Sequence, residues 1–318
     1  MYKDSKIYVA GHRGLVGSAI VRELNKQGYS NLVLKTHKEL DLLDQKSVAD
    51  FFKKEKPEYI FLAAAKVGGI EANNSYPAEF IYENLQIQIN IIHNAYLNDV
   101  KKLLFLGSSC IYPKNCPQPI KEEYLLSSKL EPTNEPYAIS KIAGIKLCQS
   151  YNRQYGTNYI CAMPTNLYGE NDNFDLENSH VLPALIRKFH EAKSEGRKEV
   201  IVWGTGKPKR EFLFVDDLAE AVVFLMNTFN PTKEQNEEGE IFLNIGTGKD
   251  QTIEELVSII KDLSGYEGEI VYDKTKPDGV AQKVVDVSKI NKLGWQATTE
   301  LEIGLLKTYK WYLENSKD

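Results

Sequence analysis

Tyr137 and Lys141 are four residues apart, the spacing at which two side chains lie on the same face of a helix. A phenol has an ordinary pKa of about 10, and a neighbouring ammonium favours its anion. The pair could therefore donate a proton to an alcohol oxygen or remove one from it. The same spacing also arises by chance, as an exposed tyrosine beside a solvated lysine, so the interpretation depends on the rest of the chain.

A second candidate is the run Gly107-Ser108-Ser109-Cys110, which follows a predicted strand. Ligands of α/β proteins bind beyond the carboxyl ends of the strands, which is where Ser108 stands. A Cys110 thiolate could abstract a proton if local charge favours it. Protons beside a ketone are acidic because the carbanion delocalises into the carbonyl, so such a base could invert the carbons next to a ketone. The alternative for Cys110 is a small buried hydrophobic residue.

A third motif is the glycine loop Gly11-His12-Arg13-Gly14-Leu15-Val16-Gly17, between the first predicted strand and the first predicted helix. Glycines at this position permit a tight turn and let backbone N–H groups approach a pyrophosphate. A glycine triplet alone could simply be a turn. Its place between a strand and a helix favours dinucleotide binding.

The residues after the second predicted strand indicate which dinucleotide is bound. An NAD site usually has an acid there to bond the ribose 2′-hydroxyl. This chain has Lys35 and His37 instead, and Arg13 stands in the glycine loop. These groups suit the 2′-phosphate of NADPH. A solvated cluster of surface charges is the alternative.

These residues need elements that bring them to one edge. Short β-rich runs alternate with helical patterns at 7–10, 17–26, 32–34, 47–54, 59–63, 78–96, 103–107, 138–155 and 159–163. The alternation predicts an α/β fold, a Rossmann-type doubly wound parallel sheet. We expect a dinucleotide-binding domain at 1–168 with parts of 212–250, and a smaller α/β substrate-binding domain at 169–211 and 251–318. Asp217 is expected to cap a helix near the junction.

Composition argues against several other classes. A net charge of -5 predicts no basic face for nucleic acid. The apolar runs are far shorter than the roughly 18 residues of a membrane span, and the first residues do not resemble a signal peptide. The four cysteines lack the paired spacing of a zinc site, so we expect no metal. A reducing cytoplasm is the expected location.

Taken together, the glycine loop, Ser108, Tyr137 and Lys141 resemble the extended short-chain dehydrogenase/reductase family, whose catalytic set is Ser or Thr, Tyr and Lys. Within that family, the chain is similar to the GDP-L-fucose synthases over nearly its whole length. The similar stretches are 63–70, 107–113, 131–138, 163–169, 178–181, 203–204, 210–212 and 276–279.

This resemblance implies NADPH-dependent 3,5-epimerisation and 4-reduction of GDP-4-keto-6-deoxy-D-mannose to GDP-L-fucose. Ser108 would orient the carbonyl, Tyr137 would protonate O4, and Lys141 would hold the ribose and tune Tyr137. Cys110 would be the base and His180 the acid of the epimerisations. Histidine suits that role because its ordinary pKa is about 6.5. A loop histidine bonded to the backbone is the alternative.

The resemblance also implies two sets of binding residues. The NADP(H) set is Gly11, His12, Arg13, Gly14, Leu15, Val16, Gly17, Lys35, His37, Asp41, Leu106, Gly107, Ser108, Ser109, Lys141, Pro164, Thr165, Asn166, Leu167 and His180. The GDP-sugar set is Lys188, Trp203, Arg210 and Asp278. Trp203 would stack on the ligand, Lys188 and Arg210 would meet the diphosphate, and Asp278 would bond the guanosine. The alternatives are a core tryptophan and a solvated surface lysine.

Three positions depart from the family pattern. His37 and Lys188 replace arginines, and Val-Ala-Gln at 280–282 replaces Thr-Pro-Arg. The competing interpretations are another nucleotide-sugar 4-epimerase or reductase of the same fold, and a non-catalytic dinucleotide sensor. A homodimer is also implied, through helices at 78–96 and 138–155.

Overall fold

The structure, a computed structural model, describes residues 1–176, 179–276 and 278–316. Asn178 and Pro277, which belong to two of the similar stretches, lie outside the described residues. The strands are β1 (Ile7–Ala10), β2 (Leu32–Val33), β3 (Tyr59–Leu62), β4 (Lys102–Leu106), β5 (Tyr159–Pro164), β6 (Asn166–Tyr168), β7 (Glu199–Trp203), β8 (Lys209–Arg210), β9 (Phe212–Phe214), β10 (Phe242–Ile245), β11 (Gln251–Thr252), β12 (Glu269–Asp273) and β13 (Gln282–Lys283).

The helices are α1 (Leu15–Lys26), α2 (Gln45–Glu55), α3 (Ile70–Ser75), α4 (Pro77–Leu97), α5 (Glu135–Tyr155), α6 (Val181–Ser194), α7 (Val215–Thr228), α8 (Lys233–Glu238), α9 (Ile253–Ser264), α10 (Ser288–Leu293) and α11 (Leu301–Asn315). Every strand and helix predicted in the first half of the chain is present. The boundaries differ by a few residues, most often because a helix begins one to three residues before its apolar pattern.

Six strands form one parallel sheet in the order β10-β5-β4-β3-β1-β2. The chain runs outward from β1 to β2 and then crosses back to β3 on the other side of β1. This reversal makes a crevice at the carboxyl ends of β1 and β3, where such sheets bind ligands. The predicted Rossmann-type fold is confirmed, and β10 returns to the sheet from the second half of the chain.

Both faces of the sheet are covered by helices, as a parallel sheet requires. One core contains apolar side chains of α1 and α7, such as Leu24 and Val222. The opposite core contains side chains of α2, α4 and α5, such as Phe52, Ile91 and Ile145. Since the strands are buried on both sides, the loops at their carboxyl ends start from fixed positions.

A third core lies outside the sheet. It joins α6, α9 and α11 with the parallel pair β7 and β12, and includes Phe189, Leu256 and Leu305. A small sheet in the order β11-β8-β13 lies beside it. This second packed unit faces the crevice of the large sheet and supplies the other wall of the site.

The expectation for Asp217 is wrong in its detail. α7 begins at Val215, so Asp217 lies inside the first turn and is not the cap. Its buried carboxylate accepts bonds from the backbone N–H groups of Thr298 and Thr299 and from the Thr299 hydroxyl. It therefore ties α7 to the segment before α11. Within the described residues, no helix is long and apolar enough to cross a membrane.

Candidate active site

The glycine loop joins β1 to α1 and requires glycine for steric reasons. Gly11 has a φ of +84°, which side-chain-bearing residues rarely adopt. A Cβ on Gly17 would lie 2.1 Å from the Gly11 carbonyl oxygen, so only glycine allows α1 to pack this closely. α1 begins at Leu15, and Gly14 before it has no side chain to cover the free N–H groups. The loop and helix N-terminus thus present backbone donors suited to a diphosphate.

The predicted 2′-phosphate residues share one groove of about 460 Å³. The glycine loop, with His12 and Arg13, forms one wall, and residues 35–38, with Lys35 and His37, form the other. Burial and then the charge of Arg13 lower the pKa of His12, so near neutral pH the positive charge of the lining comes from Arg13, Lys35 and Lys38. The groove lining, all of it within the described residues, contains no carboxylate. This donor set fits a phosphate better than a ribose hydroxyl.

Four members of the cofactor set lie at the margin of this groove or beneath it. His37 Nδ1 is 3.8 Å from Asp41 Oδ1, and its side chain is 80% exposed. Leu15 and Val16 pack partly against the core beneath α1. His37 is therefore free to turn toward a ligand, whereas Leu15 and Val16 shape the base of the loop.

Ser108 and Tyr137 meet at the carboxyl end of β4. Ser108 precedes a short 3₁₀ turn, Ser109–Ile111, and its hydroxyl accepts a bond from Cys110 N at 3.3 Å. The Tyr137 phenol lies beside the same hydroxyl, at a position from which it can form a hydrogen bond. Burial, and then the neighbouring Cys110, raise the pKa of Tyr137, while the bond to Ser108 opposes that shift. In this state Tyr137 is a protonated phenol, the form that a proton donor needs.

Lys141 lies one turn after Tyr137 on α5, as the spacing predicts. Its ammonium is buried and donates to the Leu106 carbonyl oxygen at 2.8 Å, and it is 5.7 Å from the centre of the Tyr137 ring. Burial lowers the pKa of Lys141 to about 8. Gly107 extends β4 by donating its N–H to Ala162 O at 2.9 Å, and Ser109 is buried beside it. The end of β4 thus anchors Ser108, Tyr137 and Lys141.

Cys110 and His180 come from opposite walls of the crevice and share one charged neighbour. Lys283 Nζ on β13 is 3.8 Å from Cys110 Sγ. His180 directly precedes α6 and makes no side-chain capping bond. Although the residue borders open solvent, nearby protein removes part of its hydration, which lowers the pKa of His180, and Lys283 lowers it further. The structure therefore places both residues near a single ammonium.

Residues 164–167 form the crossing between β5 and β6. The Thr165 backbone N–H donates to Ile245 O at 3.0 Å, and Asn166 Nδ2 donates to the Glu211 carbonyl oxygen at 2.8 Å. Pro164 ends β5, and Leu167 packs partly against the core. These contacts join the end of the large sheet to the strands of the second unit.

Trp203 projects from the end of β7 with 58% of the residue exposed, so the core alternative is excluded. Two ammonium groups flank its ring: Lys188 Nζ lies 5.4 Å and Lys276 Nζ 5.0 Å from the ring. An exposed indole between two cations offers an apolar face together with positive charge. Burial lowers the pKa of Lys188, which is half-buried and whose Nζ lies 3.4 Å from the Ile201 carbonyl oxygen, so this lysine is only partly solvated.

Asp278 has a structural contact that the sequence did not predict. Its carboxylate accepts from Thr205 N at 2.6 Å and from Thr205 Oγ1 at 2.7 Å. Arg210 Nη2 lies 3.5 Å from the Asp278 carbonyl oxygen. Asp278 thus fastens the turn after β7 to the loop before β13. Its bond to guanosine stays a prediction.

Sequence reasoning missed Lys283 and Glu211. Lys283 lies in no motif with a known spacing, and only the pairing of β13 with β8 brings it to Cys110. Glu211 gave a signal, because an acid directly before the apolar strand 212–214 must be bonded if it is buried. The structure buries it completely, with its carboxylate accepting from the N–H groups of Thr247, Gly248 and Val285.

Comparison with known proteins identifies the family. Residues 7–246 match the NAD dependent epimerase/dehydratase family. The GDP-L-fucose synthase 1 of Arabidopsis thaliana is 61% identical over 98% of this chain and 94% of its own length.

Two solved structures are also similar along the whole chain. A GDP-6-OMe-4-keto-L-xylo-heptose reductase from C. jejuni has 44% identity and a TM-score of 0.95, covering 99% of each chain. A GDP-D-glycero-L-gluco-heptose synthase from Campylobacter jejuni, solved in the presence of NADPH, has 44% identity and a TM-score of 0.92, covering 98% of this chain and 99% of its own. This chain therefore belongs to the NAD dependent epimerase/dehydratase family and, within it, to the group that contains the GDP-L-fucose synthases.

Proposed function

We propose that this protein is an NADPH-dependent enzyme that converts GDP-4-keto-6-deoxy-D-mannose to GDP-L-fucose by 3,5-epimerisation and 4-reduction. The observation that carries the proposal is the meeting of two sets of residues in one crevice. Ser108 and Tyr137 lie side by side at the end of β4, and Cys110 is beside them. Reduction alone needs the first two, whereas a base at Cys110 adds proton exchange beside the ketone.

In the epimerisation, the Cys110 thiolate removes the proton from a carbon next to the C4 ketone. The electron pair of the broken C–H bond moves into the carbonyl, and the oxygen that gains negative charge accepts bonds from Ser108 and Tyr137. His180 then returns a proton to the same carbon from the other side, which inverts it. Because Cys110 and His180 belong to opposite walls, the two proton transfers can use opposite faces of the sugar.

In the reduction, the hydride for C4 would come from the nicotinamide of a cofactor held by the glycine loop and residues 164–167. Tyr137 gives its phenolic proton to O4 as the carbonyl becomes an alcohol. The Lys141 ammonium, close to the Tyr137 ring, stabilises the phenolate that remains. Ser108 keeps its hydrogen bond to the same oxygen and so holds the carbonyl in line with Tyr137.

The groove lined by Arg13 and Lys35 would hold the 2′-phosphate of NADP(H), and the N–H groups of residues 11–17 would hold its diphosphate. Residues 164–167 and Leu106 would form the wall beside the nicotinamide. On the other side, the Trp203 ring would carry the base of the nucleotide. Lys188 and Arg210 would meet its diphosphate.

We also propose a cytoplasmic homodimer with two domains divided as the sequence predicts. The described outer faces of the long helices α4 and α5 expose large apolar side chains that a four-helix contact with a second copy would cover. They are Tyr82, Ile89, Leu97, Ile139 and Tyr155. Light scattering of the purified protein would give a dimer mass, and Ile89→Lys would shift it to the monomer.

The test of the main proposal is turnover of freshly prepared GDP-4-keto-6-deoxy-D-mannose with NADPH, followed by NMR of the sugar. GDP-L-fucose is the expected product. Because the two C. jejuni relatives bear the names of GDP-heptose enzymes, the second candidate is a reductase or epimerase of another GDP sugar. An unepimerised 6-deoxy sugar would support that candidate. If NADPH is oxidised neither with this sugar nor with another GDP sugar, a dinucleotide sensor would be favoured.

Cys110→Ser separates the two halves of the reaction. We expect the variant to bind NADPH normally and to exchange the C3 and C5 protons with solvent about 100-fold more slowly, since a serine alkoxide is hard to form at neutral pH. Undiminished exchange in this variant would remove Cys110 as the base.

A further inference from the structure

Lys283 places a charged side chain beside the Cys110 sulfur. Its Nζ is 3.8 Å from Cys110 Sγ, and the residue is half-buried in the crevice. Within the described residues, no carboxylate lies within 4.0 Å of this ammonium. Its positive charge is therefore directed at the thiol and not neutralised by an acid of the protein.

Backbone bonds on two sides fix the position of Lys283. On one side, β13 pairs with β8, and Glu211 N donates to Lys283 O at 3.2 Å. On the other side, Val284 N donates to the Gln118 side chain at 2.9 Å, and Ile120 N donates to Val284 O at 2.8 Å. Gln118 and Ile120 belong to the loop that follows Cys110. The backbone of Lys283 and Val284 is thus tied to the same loop that carries the cysteine.

The buried carboxylate of Glu211 supports this arrangement. One oxygen accepts from Val285 N at 2.8 Å, directly after the Lys283 strand, and the other accepts from Thr247 N at 2.6 Å and Gly248 N at 2.8 Å. It fastens the chain around Lys283 to the end of β10. Main-chain pairing and a buried carboxylate thus fix the backbone from which the Lys283 side chain reaches the sulfur.

We propose that Lys283 is a positioning residue for epimerisation, which holds Cys110 as the thiolate that removes the sugar proton. Lys283 acts only through its charge on Cys110 and transfers no proton to the sugar. The inference rests on the proposed function. It deepens that function because it gives Lys283, on β13, a role in the reactivity of Cys110, which follows β4.

Lys283 could instead bind the substrate's diphosphate, and the reactivity of Cys110 without substrate separates the two roles. The experiment measures the rate at which iodoacetamide alkylates Cys110 in the full-length protein at pH 7, read by peptide mass spectrometry. Lys283→Met is compared with the wild-type protein and with Lys283→Arg, which keeps the charge. Lys209→Met is the matched control, since it removes an exposed lysine from β8, the strand that pairs with β13.

We expect Lys283→Met to slow alkylation of Cys110 about tenfold and Lys283→Arg to restore most of the rate, because the thiolate is the reacting form. Lys209→Met should behave as wild type. Cys148 and Cys161 are fully buried and serve as an internal check, since their labelling would reveal an unfolded variant. Equal alkylation in Lys283→Met and Lys209→Met would overturn the proposal.

A second measurement keeps this result separate from the main proposal. With substrate present, Lys283→Met should slow proton exchange at C3 and C5 about tenfold, with a smaller effect on KM. A raised KM with unchanged exchange at saturation would make Lys283 a substrate-binding residue and overturn the inference. Failure of the wild-type protein to turn over the sugar would instead count against the proposed function, and the alkylation result would still stand on its own.

Discussion

The reducing residues and the epimerising residues are built in different ways. Ser108, Tyr137 and Lys141 lie within 34 residues of chain and rest on the end of β4. The epimerising set joins Cys110 to His180 and to Lys283, which lies 173 residues away in the chain. The first set is complete within the six-stranded sheet unit, whereas the second exists only when both walls of the crevice are in register. Reduction should therefore tolerate changes at the junction that epimerisation does not.

Tyr137→Phe should separate the reducing residues from the epimerising residues most strongly. Without the phenolic proton, we expect NADPH oxidation at saturating substrate to fall about 10³-fold. Exchange of the C3 and C5 protons should fall much less, since Cys110 and His180 are intact and Ser108 can still donate to the enolate oxygen. Stopped-flow absorbance measures the oxidation of NADPH, and NMR in heavy water measures the exchange of the C3 and C5 protons. If NADPH oxidation and proton exchange were lost equally, the reducing and the epimerising residues would act as a single set.

Gly17→Ala tests whether the nucleotide wall is as rigid as its packing indicates. The added methyl would overlap the Gly11 carbonyl oxygen, so the loop must move at a cost of about 3 kcal/mol, or roughly 100-fold in NADPH binding. Gly28→Ala is a useful reference for conformational strain alone, because its φ is +83° but its Cβ would meet open space. Fluorescence titration of NADPH gives both affinities, and similar affinities would contradict the steric argument.

Glu211→Gln loosens the junction without touching the catalytic atoms. The glutamine amide has one acceptor oxygen where the carboxylate has two, so some of the backbone N–H groups lose their partner. We expect a loss of about 2 kcal/mol in the free energy of unfolding by urea. Proton exchange at C3 and C5 should slow more than hydride transfer, since the Lys283 strand depends on this carboxylate. An equal effect on both steps would remove the distinction between the two sets.

The pH dependence of reduction follows from Lys141. Burial lowers its pKa to about 8, so the ammonium that assists Tyr137 is present below that pH and lost above it. We expect the rate of NADPH oxidation to fall by up to about tenfold per pH unit above pH 8. Lys141→Arg should move this decline to higher pH. A rate that stays level to about pH 9.5 would exclude this role for the ammonium.

The smallest expected effect concerns cofactor choice. His37 is 80% exposed at the edge of the groove that contains Arg13 and Lys35. His37→Arg adds a permanent charge, which at an exposed site should raise NADPH affinity about threefold over that for NADH. Titration of both cofactors gives the ratio. An unchanged ratio would place the 2′-phosphate away from His37.

Local motifs allowed the sheet unit to be predicted from sequence. The glycine loop, the helical spacing of Tyr137 and Lys141, and Ser108 at a strand end each lie within one βα unit, so short-range patterns determine them. Lys283 and Glu211 were missed because their roles come from the pairing of β8 with β13, strands of two residues with no periodicity to read. Asp217 was misplaced because a buried acid can bond a distant segment as well as the start of its own helix.

The order of the strands also matters while the chain is being made. β5 ends at Pro164, and β10, which pairs with its free edge, begins only at Phe242. About 80 residues must leave the ribosome in between, which takes roughly 4–16 s at ordinary rates of translation. During that interval the apolar edge of β5 is open to strands of other nascent chains. Aggregation therefore competes with folding while residues 165–241 are being synthesised. Faster translation of this segment should raise the soluble yield.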